Sequence, residues 1–322
     1  MVPITRRAVL AGALAMPALA RAQSAWPSGI ITLVAPAPAG GSVDIIARLV
    51  QPGLQKRLGT TVIVENKSGA ATSLGANYVA KAPRDGSKWL INADPQALNP
   101  AFMSNMPFDS EKDLDPILLL GTSPNVLAAY PGSPYRTLED VLAAARKPEG
   151  INFSVIGDTL ALVSMVLLSK LAGAHLTPIT YRGGAPAVND TLGGHTHLIA
   201  GSASLLAPFF ADGKLRPIVQ TGPQRHFALQ NVPTVAESGF PGFSAVSFWG
   251  FYAPSGTAGT TVDRFVAELT AVLQEEDTKH RLENGLLVDV KVGGPAVFRT
   301  FYQEQVRKWG QVIRENGLKS SS

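Results

Sequence analysis

The chain has 322 residues, 45% hydrophobic and 16% charged, with 31 Gly, 24 Pro and no Cys; this is globular material of about two domains, not collagen, coiled coil or disordered chain. The missing Cys removes disulfide scaffolds, Cys-ligated metal sites, thiol nucleophiles and lipobox anchors. The formal charge of +4 shrinks to +1 once Arg6, Arg7 and Arg21 are set aside, because residues 1–22 hold no acid and the rest has 25 basic against 24 acidic residues, so nucleic acid is not an expected partner.

Residues 1–22 read as a cleaved export signal. Thr5-Arg6-Arg7 is a charged start, Ala8 to Ala20 an apolar run, and Ala20-Arg21-Ala22 offers small residues at a cleavage site. The run is too short for a span of roughly 20 residues. The paired arginines point to the twin-arginine route, with a Sec signal as the alternative, and the mature protein is expected in the periplasm.

Strand-like and helix-like segments then alternate, which predicts an α/β architecture with mainly parallel strands. Ile30–Val34 is a β-branched strand, and Ser42 precedes a helix with Val43, Ile46, Leu49, Val50 and Leu54 on one stripe, disturbed by Pro52 and stopped at Gly59. Strands follow at Thr61–Val64 and Lys88–Ile91, around a small-residue helix at 69–82. A second block has strands at Asn125–Tyr130, Ile151–Val155, Leu176–Tyr181 and His197–Ala200, and helices at 138–146, 160–171 and 185–192. Phe243–Ala253 is extended and aromatic, and amphipathic helices cover 261–274 and 295–316. Two blocks of similar size predict two lobes, with the chain crossing between them near 118–128 and 243–253 and the last helix packed on the first lobe.

Walker A, Gly-x-Gly-x-x-Gly, Gly-x-Ser-x-Gly and His-Glu-x-x-His patterns are all missing. His195-Thr196-His197 has a spacing that could place two imidazoles on one strand face, but a solvated pair after Gly193-Gly194 is the simpler reading. Glycine-rich bends at strand ends are the informative feature. Ala39-Gly40-Gly41-Ser42, with Asp44 after it, opens the first helix, where free amides and the helix dipole suit a carboxylate. Tyr181-Arg182-Gly183-Gly184-Ala185-Pro186 repeats the arrangement in the second block, with Pro186 where a missing N–H is harmless. A tight-turn role explains the same glycines. If the two bends face each other, they enclose the crevice at which open α/β sheets bind ligands.

These pieces resemble the tripartite tricarboxylate transporter receptors, the Bug or TctC-type periplasmic solute-binding proteins. The matching segments are Trp26-Pro27, Pro36-x-Pro38-x-Gly40-Gly41-x-x-Asp44, Val64-Glu65-Asn66-Lys67-x-Gly69-Ala70, Ala80-Lys81-Ala82-Pro83-x-Asp85-Gly86, Tyr181-Arg182-Gly183-x-Ala185-Pro186-Ala187, Gly213-Lys214-Leu215-Arg216 and Val232-Pro233-Thr234-Val235-Ala236-Glu237-x-Gly239. The resemblance implies a two-lobed type II periplasmic-binding-protein fold, the Venus flytrap, hinged on two crossing strands, with residues 23–124 and 249–322 in lobe 1 and 125–248 in lobe 2. It implies a small organic carboxylate held by backbone amides and waters from the loops at Ala39 to Ser42 and Gly183 to Ala185, and Asp44 meeting a ligand amino group or a water. It implies no cofactor, metal or catalysis, a monomer, and delivery of solute to a permease with one large and one small integral subunit. A sensor kinase as partner, or a hydrolase using Asp44 and Asp158 as acid and base, are the alternatives.

The departures bear on specificity. The third ligand loop of relatives carries hydroxyls and a His, whereas this chain has Ile156-Gly157-Asp158-Thr159; where relatives place Asp-Asn, it has Gly201-Ser202 after Ala200. Asp94 and Gln96, past the third strand, and Tyr181 complete the expected ligand set. With Asp44, Asp94 and Asp158 near one cleft, a second ligand carboxylate meets like charge. The expected ligand is therefore a monocarboxylate, or an amino- or amide-bearing acid, in preference to citrate.

Overall fold

The computed structural model describes residues 26–320, so the export signal expected at 1–22 lies outside the described residues. The first part of the chain forms β1 (Ile31–Ala35), α1 (Ser42–Leu58), β2 (Val62–Asn66), α2 (Ser73–Ala80), β3 (Lys88–Ala93) and α3 (Pro95–Phe102), followed by the long β4 (Leu114–Ala129). Next come α4 (Leu138–Ala145), β5 (Ile151–Ile156), α5 (Leu160–Ala172), β6 (Leu176–Tyr181), α6 (Gly184–Leu192), β7 (Leu198–Ser202), α7 (Ala203–Ala211) and β8 (Arg216–Gln220). The chain ends with β9 (Val246–Pro254), α8 (Gly259–Leu273), α9 (Glu276–His280), β10 (Asp289–Gly293) and α10 (Pro295–Glu315).

Strand order is β2-β1-β3-β9-β4-β7-β5-β6, with β8 and β10 also paired to β4. β4 belongs to both halves: Leu114 to Pro124 pair with β9, and Asn125 to Ala129 pair with β7. Strand direction then fixes which loops meet. β3 and β4 are each antiparallel to β9, and β1 is parallel to β3, so β1 and β3 run with β4 and end facing the second half. β7 is antiparallel to β4, and β5 and β6 run with β7, so these three end facing the first half. The carboxyl ends of both sets of parallel strands therefore point at one another across the crossing pair β4 and β9.

Local chemistry explains the elements that build this frame. All five residues of β1 are buried, as expected for a parallel strand covered on both faces. In α1 the stripe Val43, Ile46, Val50 and Leu54 is buried, and Gly59 at φ 66° closes the helix with its N–H on Gln55 O. Pro52 lies inside α1 without ending it. The helix starts one residue earlier in role than the sequence implied: Gly41 is the N-cap and Ser42 the first helical residue. Residues Ala70 to Thr72 are left-handed, which confines α2 to Ser73–Ala80.

The last helix also differs from expectation. Phe298 and Tyr302 of α10 pack with Val34 and Leu90 of the first half and with Phe248 and Tyr252 of the crossing strand β9. Further along, Trp309 and Ile313 join the core that holds Phe153, Leu162 and Leu198 of the second half. α10 thus braces both halves behind the crossing strands. No described helix is long and apolar enough to cross a membrane.

Candidate ligand-binding site

The first bend is built by Asp44. Its Oδ2 accepts from the Gly40 N–H at 2.9 Å, and its Oδ1 accepts from Arg48 Nε and Asn66 Nδ2, each at 2.9 Å. Asn66 Nδ2 also reaches Ala37 O at 3.0 Å, tying the bend to the end of β2. Gly40 takes φ 82°, a left-handed geometry that favours glycine, and no atom lies within 4 Å of a Cβ placed there. Burial by itself raises the Asp44 pKa, but the bonds from Arg48, Gly40 and Asn66, with the Arg48 charge, outweigh it and hold the carboxyl below its ordinary 3.8.

Asp44 is thus turned into the bend, and the Gly40 and Gly41 amides are both engaged there, the latter with Pro38 O at 3.1 Å. Ala39 stays exposed at the tip. Ser42, Val43 and Asp44 precede Ile45, whose N–H makes the first helical bond, to Gly41 O, so the start of α1 carries the orphan amides. Ser42 Oγ accepts from Trp249 Nε1 on β9 at 3.2 Å, which ties the bend to a crossing strand. Replacing Asp44 with Ala should cost about 2–4 kcal/mol, the scale of a multiply bonded carboxylate. Because the folded pKa is depressed, this contribution is present above pH 3.8 and fades as pH falls through the folded value. The difference in stability between wild type and variant should therefore narrow in acid-titrated thermal melts.

In the second half, Gly183 is the extended N-cap of α6, with open space around a hypothetical Cβ, and Gly184 and Ala185 begin the helix ahead of Pro186. Gly184 fits against Leu205, whose Cδ1 would lie 2.6 Å from an added Cβ. Tyr181 Oη donates to Asp190 Oδ2, and Gly157 N–H to Tyr181 O at 3.1 Å. Burial, and then Asp190, raise the Tyr181 pKa, so it remains a neutral phenol.

Thr159 is the N-cap of α5, and its hydroxyl donates back to Ile156 O at 2.8 Å. Asp158 is buried in a left-handed conformation at φ 57°, and its Oδ2 accepts from Ser320 Oγ at 2.7 Å, so the carboxylate meets the C-terminal segment. Ser202 is the N-cap of α7, accepting from Leu205 N, and sits opposite Asn125 beside Gly201.

Asp94 does reach the facing edges. Its Oδ2 accepts from Leu160 N, the first amide of α5, at 2.8 Å, joining the end of β3 to the end of β5. Burial raises its pKa, opposed by the Leu160 amide and the Ser247 hydroxyl. Ser247 Oγ donates to Asn125 Oδ1 at 3.1 Å, and Asn92 Nδ2 donates to Gln96 Oε1 at 2.8 Å. Gln96 Nε2, Asn125 Nδ2 and Ser123 Oγ are buried with no hydrogen-bond partner among the described residues. Sequence reasoning missed Asn92, Ser123, Asn125, Ser247 and Trp249; amides inside apolar runs such as Leu90-Ile91-Asn92 were the available signal, since a buried amide needs a reason.

Two α/β halves whose parallel strands end face to face across two crossing strands, with glycine-rich helix starts on those ends, define a two-lobed solute receptor of the periplasmic-binding-protein class. Residues 46–318 match the TctC family, tripartite tricarboxylate transporter family receptor, and the chain belongs to that family. It is 34% identical to a UPF0065 protein from the tcbD-tcbE intergenic region of Pseudomonas sp. strain P51, over 99% of this chain and 96% of that one. Among solved structures it is similar to Rpa4515 of R. palustris with adipate, at a TM-score of 0.85 and 27% identity, covering 91% of this chain and 99% of that one. MatC from Rhodopseudomonas palustris with bound malate gives a TM-score of 0.80 and 26% identity, over 89% and 99% of the two chains. The family is one of periplasmic binding proteins, not enzymes.

Proposed function

We propose that this chain is an exported periplasmic receptor that captures a small organic carboxylate between its lobes and delivers it to a two-subunit integral membrane permease. The observation that carries this reading is the convergence of strand ends. The α1 and α6 starts follow strand ends that face one another across β4 and β9, and amides at helix starts favour an anion without a neutralising side chain. In this reading Ser42, Gly183, Gly184 and Ala185 hold the head group, Asp44 shapes the first bend, and Gln96 and Asn125 offer donors that have no partner among the described residues. Exposed Arg182 lends positive charge at the rim, where it steers an anion inward.

Residues 26–124 with those after 248 form the first lobe, 125–248 the second, and β4 with β9 the hinge; a ligand favours closure by its higher affinity for the closed state. The neighbours with adipate and malate support the carboxylate class. Within it, a ligand with one carboxylate and an apolar, amino- or amide-bearing body is preferred over citrate. No catalysis is assigned to the receptor. Titration with a panel of small organic acids, read by calorimetry and thermal shift, tests this. A true ligand should add about 4 kcal/mol of stability at a thousandfold excess over its Kd. Binding of no organic acid, or tightest binding of citrate, would contradict the assignment.

A further inference from the structure

Asp94 stands at the start of α3, where an aspartate ordinarily caps its own helix by accepting from its first amides. Here it makes no such bond and its backbone is already helical, at φ −47° and ψ −31°. Instead the carboxylate crosses the lobe junction to the first amide of the 13-residue α5, at 2.8 Å. Thr159, the α5 N-cap, makes no side-chain cap bond of its own; its hydroxyl donates to Ile156 O. An anion position on the second lobe is thus filled by a side chain of the first. Gln96, two residues on in α3, and Asn125, bonded to Ser247, are 2% and 1% exposed, and each keeps an amide N–H group without an acceptor among the described residues. Those donors suit a ligand oxygen, while the first amide of α5 is already taken by Asp94.

We infer that Asp94 sets the specificity of the site: seated on the α5 amide, it stands where a second ligand carboxylate would bind and restricts the receptor to acids with one carboxylate. The inference rests on the carboxylate-receptor reading above and assigns its selectivity to one residue. Two effects act together. The side chain fills the position, and any ionised fraction repels a second anion in a site of low dielectric. Burial favours the neutral form of Asp94, in which the steric effect remains.

The test compares hexanoate with adipate, equal in carbon number and differing by one carboxylate, on the full chain at neutral pH. Calorimetry on wild type, Asp94→Ser and Asp94→Asn gives the ratio of the two affinities within each protein, a quantity that a general loss of stability leaves unchanged. Wild type should favour hexanoate by about tenfold or more, and Asp94→Ser should shift the ratio toward adipate by a further factor of about 10, the scale of one charge-assisted hydrogen bond. Asp94→Asn keeps the shape without the charge and moves the ratio only as far as Asp94 is ionised; Asp94→Ala, which vacates the position as the serine does, decides the matter if the serine variant does not fold. Carboxylate binding with one unchanged ratio in wild type and both variants overturns the role of Asp94 and leaves the receptor reading intact. Binding of neither acid, nor of any other carboxylate in the panel, overturns both.

Discussion

Gly250→Ala should lower the melting temperature by about 5 °C, from a loss of about 3 kcal/mol, although the change adds a single methyl group. Gly250 lies on β9, opposite Leu119 of β4 and Asn92 of β3. A Cβ there would overlap the Phe298 ring and come within 3.1 Å of Leu118 O. Neither neighbour can give way cheaply: one is backbone, and the other is a fully buried ring set among Phe248, Tyr252 and Tyr302 at centroid distances of 5.1 to 6.3 Å. The glycine is what lets α10 lie close against the crossing strands and brace both lobes. Phe298→Leu in the Gly250→Ala background should recover part of the loss, giving a coupling energy of about 1 kcal/mol or more in a double-mutant cycle. Gly259→Ala, where nothing lies within 4 Å of the added carbon, should leave the melting temperature nearly unchanged. Equal effects at the two glycines would remove the packing argument.

The alternating blocks of the α/β frame could be read along the chain because their strands and helices are locally marked. β6 runs from Leu176 to Tyr181, as its pattern implies, and α5 and α10 lie within a residue or so of their apolar stripes. The elements that were missed carry contrary local signals. α3 contains Pro95 and Pro100 and reads as a loop. β4 was reduced to its last few residues because Pro116, Gly121 and Pro124 interrupt it; the strand continues past them by register shifts between Pro116 and Leu118 and between Leu119 and Gly121. β8 and β10 are five-residue strands with weak patterns, and their pairing with β4 supplies what their sequences lack.

The site divides in the same way. The glycine bends were visible because left-handed turns and helix starts leave marks in neighbouring residues, as Gly40 and Gly183 do. The orientation of the three acidic residues left none. Asp44 turns toward residues 40, 48 and 66, Asp158 toward Ser320, and Asp94 toward an amide 66 positions away. Side-chain pairing over such separations depends on tertiary placement and has no periodicity to read.

The claim that amides at the start of α1 grip the ligand can be tested at Ser42. Gly41 has φ −72° and ψ 159°, a conformation suited to the residue before proline, and Ser42 is the first residue of the helix, where proline is well tolerated. Ser42→Ala and Ser42→Pro both remove the hydroxyl that accepts from Trp249, but only the proline also removes the N–H. Calorimetry of the two variants with the best ligand of the organic-acid panel therefore isolates one backbone donor. The account predicts that the alanine variant binds within a few-fold of wild type, while the proline variant binds about 10- to 100-fold more weakly at similar melting temperature, as expected for a hydrogen bond to a charged group; equal affinity in the two variants would contradict it.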